Sequence, residues 1–146
     1  MNLFRGMFKS TKLEKCDPNS IPFFSFEHIK TNCKVVSFYD GDSCTIIVEQ
    51  FGKFIKLKCR LKGIDTPELR SKGLEYLVSR QVRDYVSKYH SKILKVHMFH
   101  GDKYGRTLIE LFDEQGSINE HLIQNNMAYR YDGKTKKTFL EWYKFK

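Results

Sequence analysis

Between Arg60 and Glu68 the chain reads Arg-Leu-Lys-Gly-Ile-Asp-Thr-Pro-Glu, which puts a guanidinium, two carboxylates and loop carbonyls into one short run. Paired acids with a free carbonyl suit a hard cation, and an arginine fork beside them suits a phosphate. Two further stretches carry the same kinds of group: the acidic turn Asp40-Gly41-Asp42-Ser43 and the basic loop Asp102-Lys103-Tyr104-Gly105-Arg106. If Asp40, Asp42, Asp65 and Glu68 met, they would repel one another unless a cation joined them. An oxygen set without a His or Cys cluster favours Ca²⁺ or Mg²⁺ over zinc. Arg60 and Arg106 on one phosphate would offset the charge of a five-coordinate phosphorus as it forms. Taken singly, Asp40 or Asp42 reads better as a solvated turn residue, and each arginine better as a structural salt-bridge partner.

These groups need elements to hold them. Phe54 to Lys62 alternates apolar and basic residues as a strand does, Gly63 breaks it, and Pro67 biases Thr66 away from helix. Cys33–Tyr39 and Thr45–Val48 read as strands on either side of the acidic turn, and Phe51-Gly52-Lys53 as a hairpin turn. The expectation is a meander with the acidic turn at one end and the Arg60–Glu68 run at the other, joined when a barrel closes. Leu74 to Tyr89 predicts an amphipathic helix whose inward face carries Leu74, Leu77, Val78, Val82, Tyr85, Val86 and Tyr89. Ile93–His100 and Thr107–Phe112 read as two more strands. Ser117-Ile-Asn-Glu120 has the pattern of a capping box opening a helix to about Asn125, with Asn126 as its left-handed stop. A final helix over Thr138–Lys146 would turn Phe139, Trp142 and Tyr143 inward. The fold class is α+β, mainly β: a five-stranded Greek-key barrel of the OB type with about three helices. Such a fold points to nucleic acid only by analogy.

With 26 basic against 17 acidic residues the chain carries +9, which favours a polyanionic partner, nucleic acid before an anionic membrane. No apolar run is long enough to span a bilayer. Arg5 and Lys9 interrupt any signal-peptide core in Met1–Ser10, so the expectation is an intracellular protein. Cys16, Cys33, Cys44 and Cys59 form no C-x-x-C pair and read as reduced thiols. Residues 1–32 form an N-terminal extension of unassigned role, and its aromatic patch Ile21–Phe26 is expected to pack onto the domain formed by 33–146.

Joined in order, Asp40-Gly-Asp-Ser, Arg60-Leu-x-Gly-Ile-Asp-Thr-Pro-Glu68, Asp102-Lys-Tyr-Gly-Arg106, Ile118-Asn-Glu-x-Leu-Ile and Met127-Ala resemble the staphylococcal nuclease (thermonuclease) family. The resemblance covers roughly Cys33 to Tyr131. It implies an OB-fold barrel with helices that hydrolyses DNA and RNA with Ca²⁺ and leaves 3′-phosphate ends. By motif position, Asp42 and Asp65 resemble the calcium-ligating carboxylates and the Thr66 carbonyl the backbone ligand. Glu68 resembles the carboxylate that orients or deprotonates the attacking water, and Arg60 and Arg106 the pair on the scissile phosphate. Asp40 and Ser43 fall in the metal's outer surroundings, while Lys103, Tyr104 and Tyr131 match positions near the bound nucleotide. No residue matches a general acid; His97, His100 and His121 are candidates by type alone. Ser43 replaces the family's threonine, and the short Leu69–Gly73 loop lacks the long basic loop of the bacterial prototype. The resemblance implies a nucleic acid substrate, with no membrane and no obligate protein partner. The alternative is a nucleic-acid-binding OB-fold module without catalysis. A membrane-surface or scaffold role rests only on charge and the Phe23-Phe24-x-Phe26 patch.

Overall fold

The structure, a computed structural model, describes residues 11–146, so the reading of Met1–Ser10 lies outside the described residues. After a one-turn helix α1 (Thr11–Glu14), three strands run as an antiparallel meander: β1 (Lys30–Phe38), β2 (Ser43–Gln50) and β3 (Lys53–Leu61). Their burial alternates over most of each strand, as a sheet with one wet face requires, except at the β1 register shift near Val36 and at the buried Cys59–Leu61 end of β3; Cys33, Val35, Ile46, Val48, Cys59 and Leu61 point into the core. The two-residue strand β4 (Ile64–Asp65) and helix α2 (Gly73–Val86) follow. Strands β5 (Ile93–Gly101) and β6 (Thr107–Asp113) then complete the barrel. β5 pairs with β1 and β6 with β5; β6 also runs parallel to β3 through Cys59–Thr107, Arg60–Leu108 and Leu61–Ile109, which closes the five-stranded barrel. Closure removes the open edges that an isolated meander would present.

The short strand β7 (Gly116–Ser117) leads into α3 (Ile118–Gln124), where Asn126 takes φ 56° as the sequence predicts and the Ser117 hydroxyl accepts from the Glu120 N–H; the other half of the expected capping box does not form, because the Glu120 carboxylate pairs with Arg130. β8 (Tyr129–Arg130) pairs with β4, and α4 (Phe139–Lys144) ends the fold, with Trp142 buried and Phe139 and Tyr143 packed partly against the core. All four cysteines are free thiols, three of them buried. Among the described residues no helix is long and apolar enough to cross a membrane.

Three expectations need correction. The acidic turn and the Arg60–Glu68 run lie at the same end of the meander: Ser43 pairs directly with Arg60, as antiparallel order demands of the first turn and the third strand's exit. On α2, Leu74 and Leu77 face solvent, at 46% and 57% exposure; the buried stripe is Val78, Ser79, Val82 and Val86. The aromatic patch is not packed as a unit. Phe26 joins the core, whereas Ile21, Phe23 and Phe24 remain exposed.

Candidate active site

The β1–β2 turn is built by its own first acid. Asp40 Oδ1 accepts from the N–H groups of Asp42 (3.2 Å) and Ser43 (2.9 Å), which curls the chain around Gly41. Gly41 leaves no room for a side chain: a Cβ there would come within 2.5 Å of Val82 on α2 and 2.9 Å of Thr66. The backbone therefore presses against both the helix and the loop after β4. The Leu61 N–H reaches the Asp42 carbonyl at 2.8 Å and ties the turn to the end of β3.

At that junction Asp42 and Asp65 are buried, and Arg60 lies between them. Its Nη1 donates to Asp42 Oδ2 at 2.9 Å, and its Nη2 to Asp65 Oδ1 at 2.9 Å and to the Ile64 carbonyl at 3.2 Å. Asp42 also accepts from the Thr66 N–H at 3.1 Å and from the Ser43 hydroxyl at 3.1 Å. The Tyr129 hydroxyl donates to the other Asp65 oxygen. Lys136, on the segment before α4, sets its Nζ 3.2 Å from Asp65 and 3.5 Å from Glu68.

Arg106 arrives from the β5–β6 connection. Asp102 Oδ1 accepts from the N–H groups of Tyr104 (2.9 Å) and Arg106 (3.0 Å), and Gly105 takes φ 76°, so the loop turns tightly enough to bring the guanidinium back. Arg106 Nε donates to Asp102 Oδ2 at 2.8 Å and its Nη1 to the Ser43 hydroxyl at 3.3 Å. A chain of polar contacts thus runs from Arg106 through Ser43, Asp42, Arg60 and Asp65 to Lys136 and Glu68.

The site residues assigned by motif position line one cavity of about 630 Å³: Asp40, Asp42, Ser43, Arg60, Asp65, Thr66, Glu68, Lys103, Tyr104, Arg106 and Tyr131; His97, His100 and His121, candidates by type alone, do not line it. Glu68, Lys103 and Tyr104 are exposed there. Tyr131 is half-buried, with the Arg60 guanidinium 5.5 Å from its ring. Sequence reasoning missed Tyr129, Lys136, Arg70 and Asp102. Asp102 was legible as the first residue of an Asp-x-x-Gly turn. Tyr129 and Lys136 carry no local signal, because only the β4–β8 pairing and the segment after it bring them to Asp65.

Burial pushes the Asp42 carboxyl up to about 7; Arg60 opposes this, and Asp40 and Asp65 add to it. Asp102 is held below the usual carboxylate range: burial works against this, but the Arg106 and Tyr104 N–H groups and the Arg106 side chain prevail. Burial and the hydrogen bond to Asp65 push Tyr129 well up, so it stays a neutral donor.

Asp42, Asp65 and the Thr66 carbonyl offer only oxygen donors, a set that fits a hard divalent cation in chemistry. Among the described residues no group of three or more His, Cys, Asp or Glu side chains converges as a metal cage. The expected set contains only two such side chains, since its third ligand is a carbonyl. The inner oxygens of both acids are taken up by Arg60, and Lys136 shares Asp65 with it.

Residues 58–144 match the protein family described as staphylococcal nuclease homologue. A relative from Haemophilus influenzae, described as an uncharacterized endonuclease, is 30% identical over 102 residues, which is 70% of this chain and 53% of the relative. The chain therefore spans about half the length of the curated relative it matches.

Proposed function

This chain belongs to the staphylococcal nuclease homologue family, and from that premise we propose that it hydrolyses phosphodiester bonds in DNA and RNA with the aid of calcium. The observation that carries the reading is the convergence of Arg60, Arg106 and Glu68 on one polar cavity at the mouth of the barrel, beside two buried carboxylates.

Asp42, Asp65 and the Thr66 carbonyl would hold the ion, which when bound polarises a phosphate oxygen and offsets negative charge. Arg106 would donate to a non-bridging oxygen of the scissile phosphate, where charge grows as a fifth oxygen approaches phosphorus, and Arg60 would join it by exchanging its bonds to Asp42 and Asp65 for the phosphate. Glu68 sits at the exposed side of the cavity and positions, or takes a proton from, an in-line water. The new bond joins the water oxygen to phosphorus, and the bond to the 5′ oxygen breaks. The products are a 3′-phosphate and a 5′-hydroxyl, whose proton comes from solvent. Lys103, Tyr104 and Tyr131 stand at the rim as contacts for the nucleotide. Asp40 and Ser43 act through the turn, by holding Asp42 and Arg106 in place.

The test is digestion of single-stranded DNA and of RNA with Ca²⁺, with and without EGTA, followed by analysis of the ends. Cleavage that stops on chelation and leaves 3′-phosphates is expected. Cleavage indifferent to EGTA would remove calcium from the account. Tight binding with no cleavage under any divalent ion would support the non-catalytic module.

A further inference from the structure

We propose that the end of the barrel farthest from the catalytic cavity docks on an anionic phospholipid surface, through the tip of the β2–β3 hairpin and the aromatic segment Ile21–Phe26. The inference goes beyond the phosphodiesterase reading and stands without it. The two-residue turn between Gln50 and Lys53 has positive φ at both positions, 55° at Phe51 and 70° at Gly52. A hairpin turn of that shape favours Asn or Asp before the Gly, because a bulky side chain is strained there. This chain carries phenylalanine instead and leaves it 69% exposed at the tip. Neither backbone preference nor burial accounts for that ring.

Other apolar groups gather beside it. Phe24 meets Phe51 edge-on, 5.9 Å between ring centres, and is itself 68% exposed; Ile21 and Phe23 are exposed with it. The segment is held from its other end. Phe26, 4.8 Å from Phe24, packs against the core, and the His28 N–H reaches the Met98 carbonyl at 2.9 Å. The rings thus form a fixed convex knuckle. A protein partner would have to supply a matching hollow, whereas the acyl boundary of a bilayer accepts an inserted ring of any outline.

Charge selects an anionic headgroup layer. On the hairpin, Lys53 and Lys56 are exposed against Glu49. The sequence that leads into the knuckle sets Leu3, Phe4, Met7 and Phe8 among Arg5, Lys9, Lys12 and Lys15, with Glu14 as its acid. Phenylalanine and leucine interspersed with lysine and arginine are the composition of segments that lie in the interface of anionic membranes. The flanking acids are engaged locally: Asp17 accepts from the Asn19 N–H at 3.0 Å, and Glu27 lies 3.7 Å from His28. Docked this way, the protein keeps its catalytic mouth toward solvent. The Ser43–Arg60 pair and the Gln50–Lys53 pair stand at opposite ends of the eight-residue β2, about 25 Å apart at roughly 3.4 Å per residue. The family match begins at residue 58, so the knuckle lies outside it.

The experiment is flotation of the full chain, in EDTA, with vesicles of phosphatidylcholine alone and of phosphatidylcholine mixed with phosphatidylserine, at low and high salt. The native protein is compared with Phe51→Asn, with Phe23→Ser/Phe24→Ser and with Lys9→Gln/Lys12→Gln/Lys15→Gln. The native protein is expected to float with the serine-containing vesicles, and less with phosphatidylcholine or in high salt. Phe51→Asn should bind these vesicles about tenfold more weakly, the effect of one ring withdrawn from the acyl boundary, and the double variant should lose at least as much. The lysine variant should fall about tenfold or more and lose the preference for phosphatidylserine. Phe51→Asn should melt no lower than the native protein, because asparagine suits the turn, so its lost flotation is not a folding defect. Native protein that fails to float, or aromatic variants that float as the native protein does, overturn the proposal. If the aromatic variants keep flotation but lose affinity for a labelled single-stranded oligonucleotide, the knuckle belongs to nucleic acid and the proposal falls. A native dimer that Phe51→Asn dissociates, with flotation unchanged, assigns the knuckle to a second copy and overturns it as well. Cleavage enters none of these measurements, so the nuclease reading fails or stands separately.

Discussion

Arg106 is gripped from behind before any substrate arrives. Asp102 holds its Nε, and the Ser43 hydroxyl steadies one arm of the fork. A lysine cannot keep two anchors and still present a two-pronged donor. Arg106→Lys is therefore expected to lower kcat by about 10² to 10³, the usual cost of one transition-state donor, with a thermal midpoint close to that of the native protein. Near-native turnover would remove Arg106 from the phosphate. The grip is itself pH-dependent. The carboxyl of Asp102 is depressed by its donors, so its stabilisation is present above the unfolded value of 3.8 and is lost as pH falls through the folded value. Asp102→Asn should melt below the native protein at neutral pH, and the gap should begin to narrow below about pH 4 and close as pH falls through the depressed folded value. A gap that persists in acid would mean the residue acts by packing rather than by charge.

Between elements, the helices are held by narrower contacts than their composition suggests. The period of α2 is plain in the sequence, but its apolar stripe is wider than the face it buries. Ser79 takes a buried place because its hydroxyl satisfies itself on the Tyr76 carbonyl at 2.7 Å, while Leu77 is left outside. Periodicity identifies a helix and its rough face; which edge of the stripe meets the barrel is settled by shape, and no local rule carries that information. α3 shows the opposite case. Its cap and stop are chemical signals, and the Ser117 cap and the Asn126 stop lie where the sequence predicts, although Glu120 pairs with Arg130 rather than closing the box. The two situations are separable by truncation. Leu122→Ala, at a fully buried position of α3, is expected to cost about 2 to 5 kcal/mol. Leu77→Ala should stay within about 0.5 kcal/mol in denaturant unfolding. Comparable losses at both would mean that Leu77 is covered in solution.

Across the whole molecule, the site is assembled from contacts of very different reach. Asp42 and Arg60 meet through the β2–β3 register, which sets Ser43 opposite Arg60; the motifs name these residues, but strand alternation alone places them at opposite ends of the meander. Arg106 joins Ser43 across 63 positions only because the parallel β3–β6 seam closes the barrel, and the motif around it makes that legible too. Lys136 has neither a motif nor a regular element to announce it. It reaches Asp65 from an irregular stretch after β8, and such placement is decided by the complete fold.

That lysine ties the tail of the chain to the acids at its centre. Its ammonium lies between Asp65 and Glu68 and offsets part of their charge, so the resting protein carries its own tethered counter-ion. On the proposed calcium reading an incoming ion would have to displace it, and by thermodynamic reciprocity anything that pins the segment before α4 in place would weaken the ion by the same factor. Occupancy at the heart of the molecule and the looseness of its last turns are one equilibrium seen from two ends.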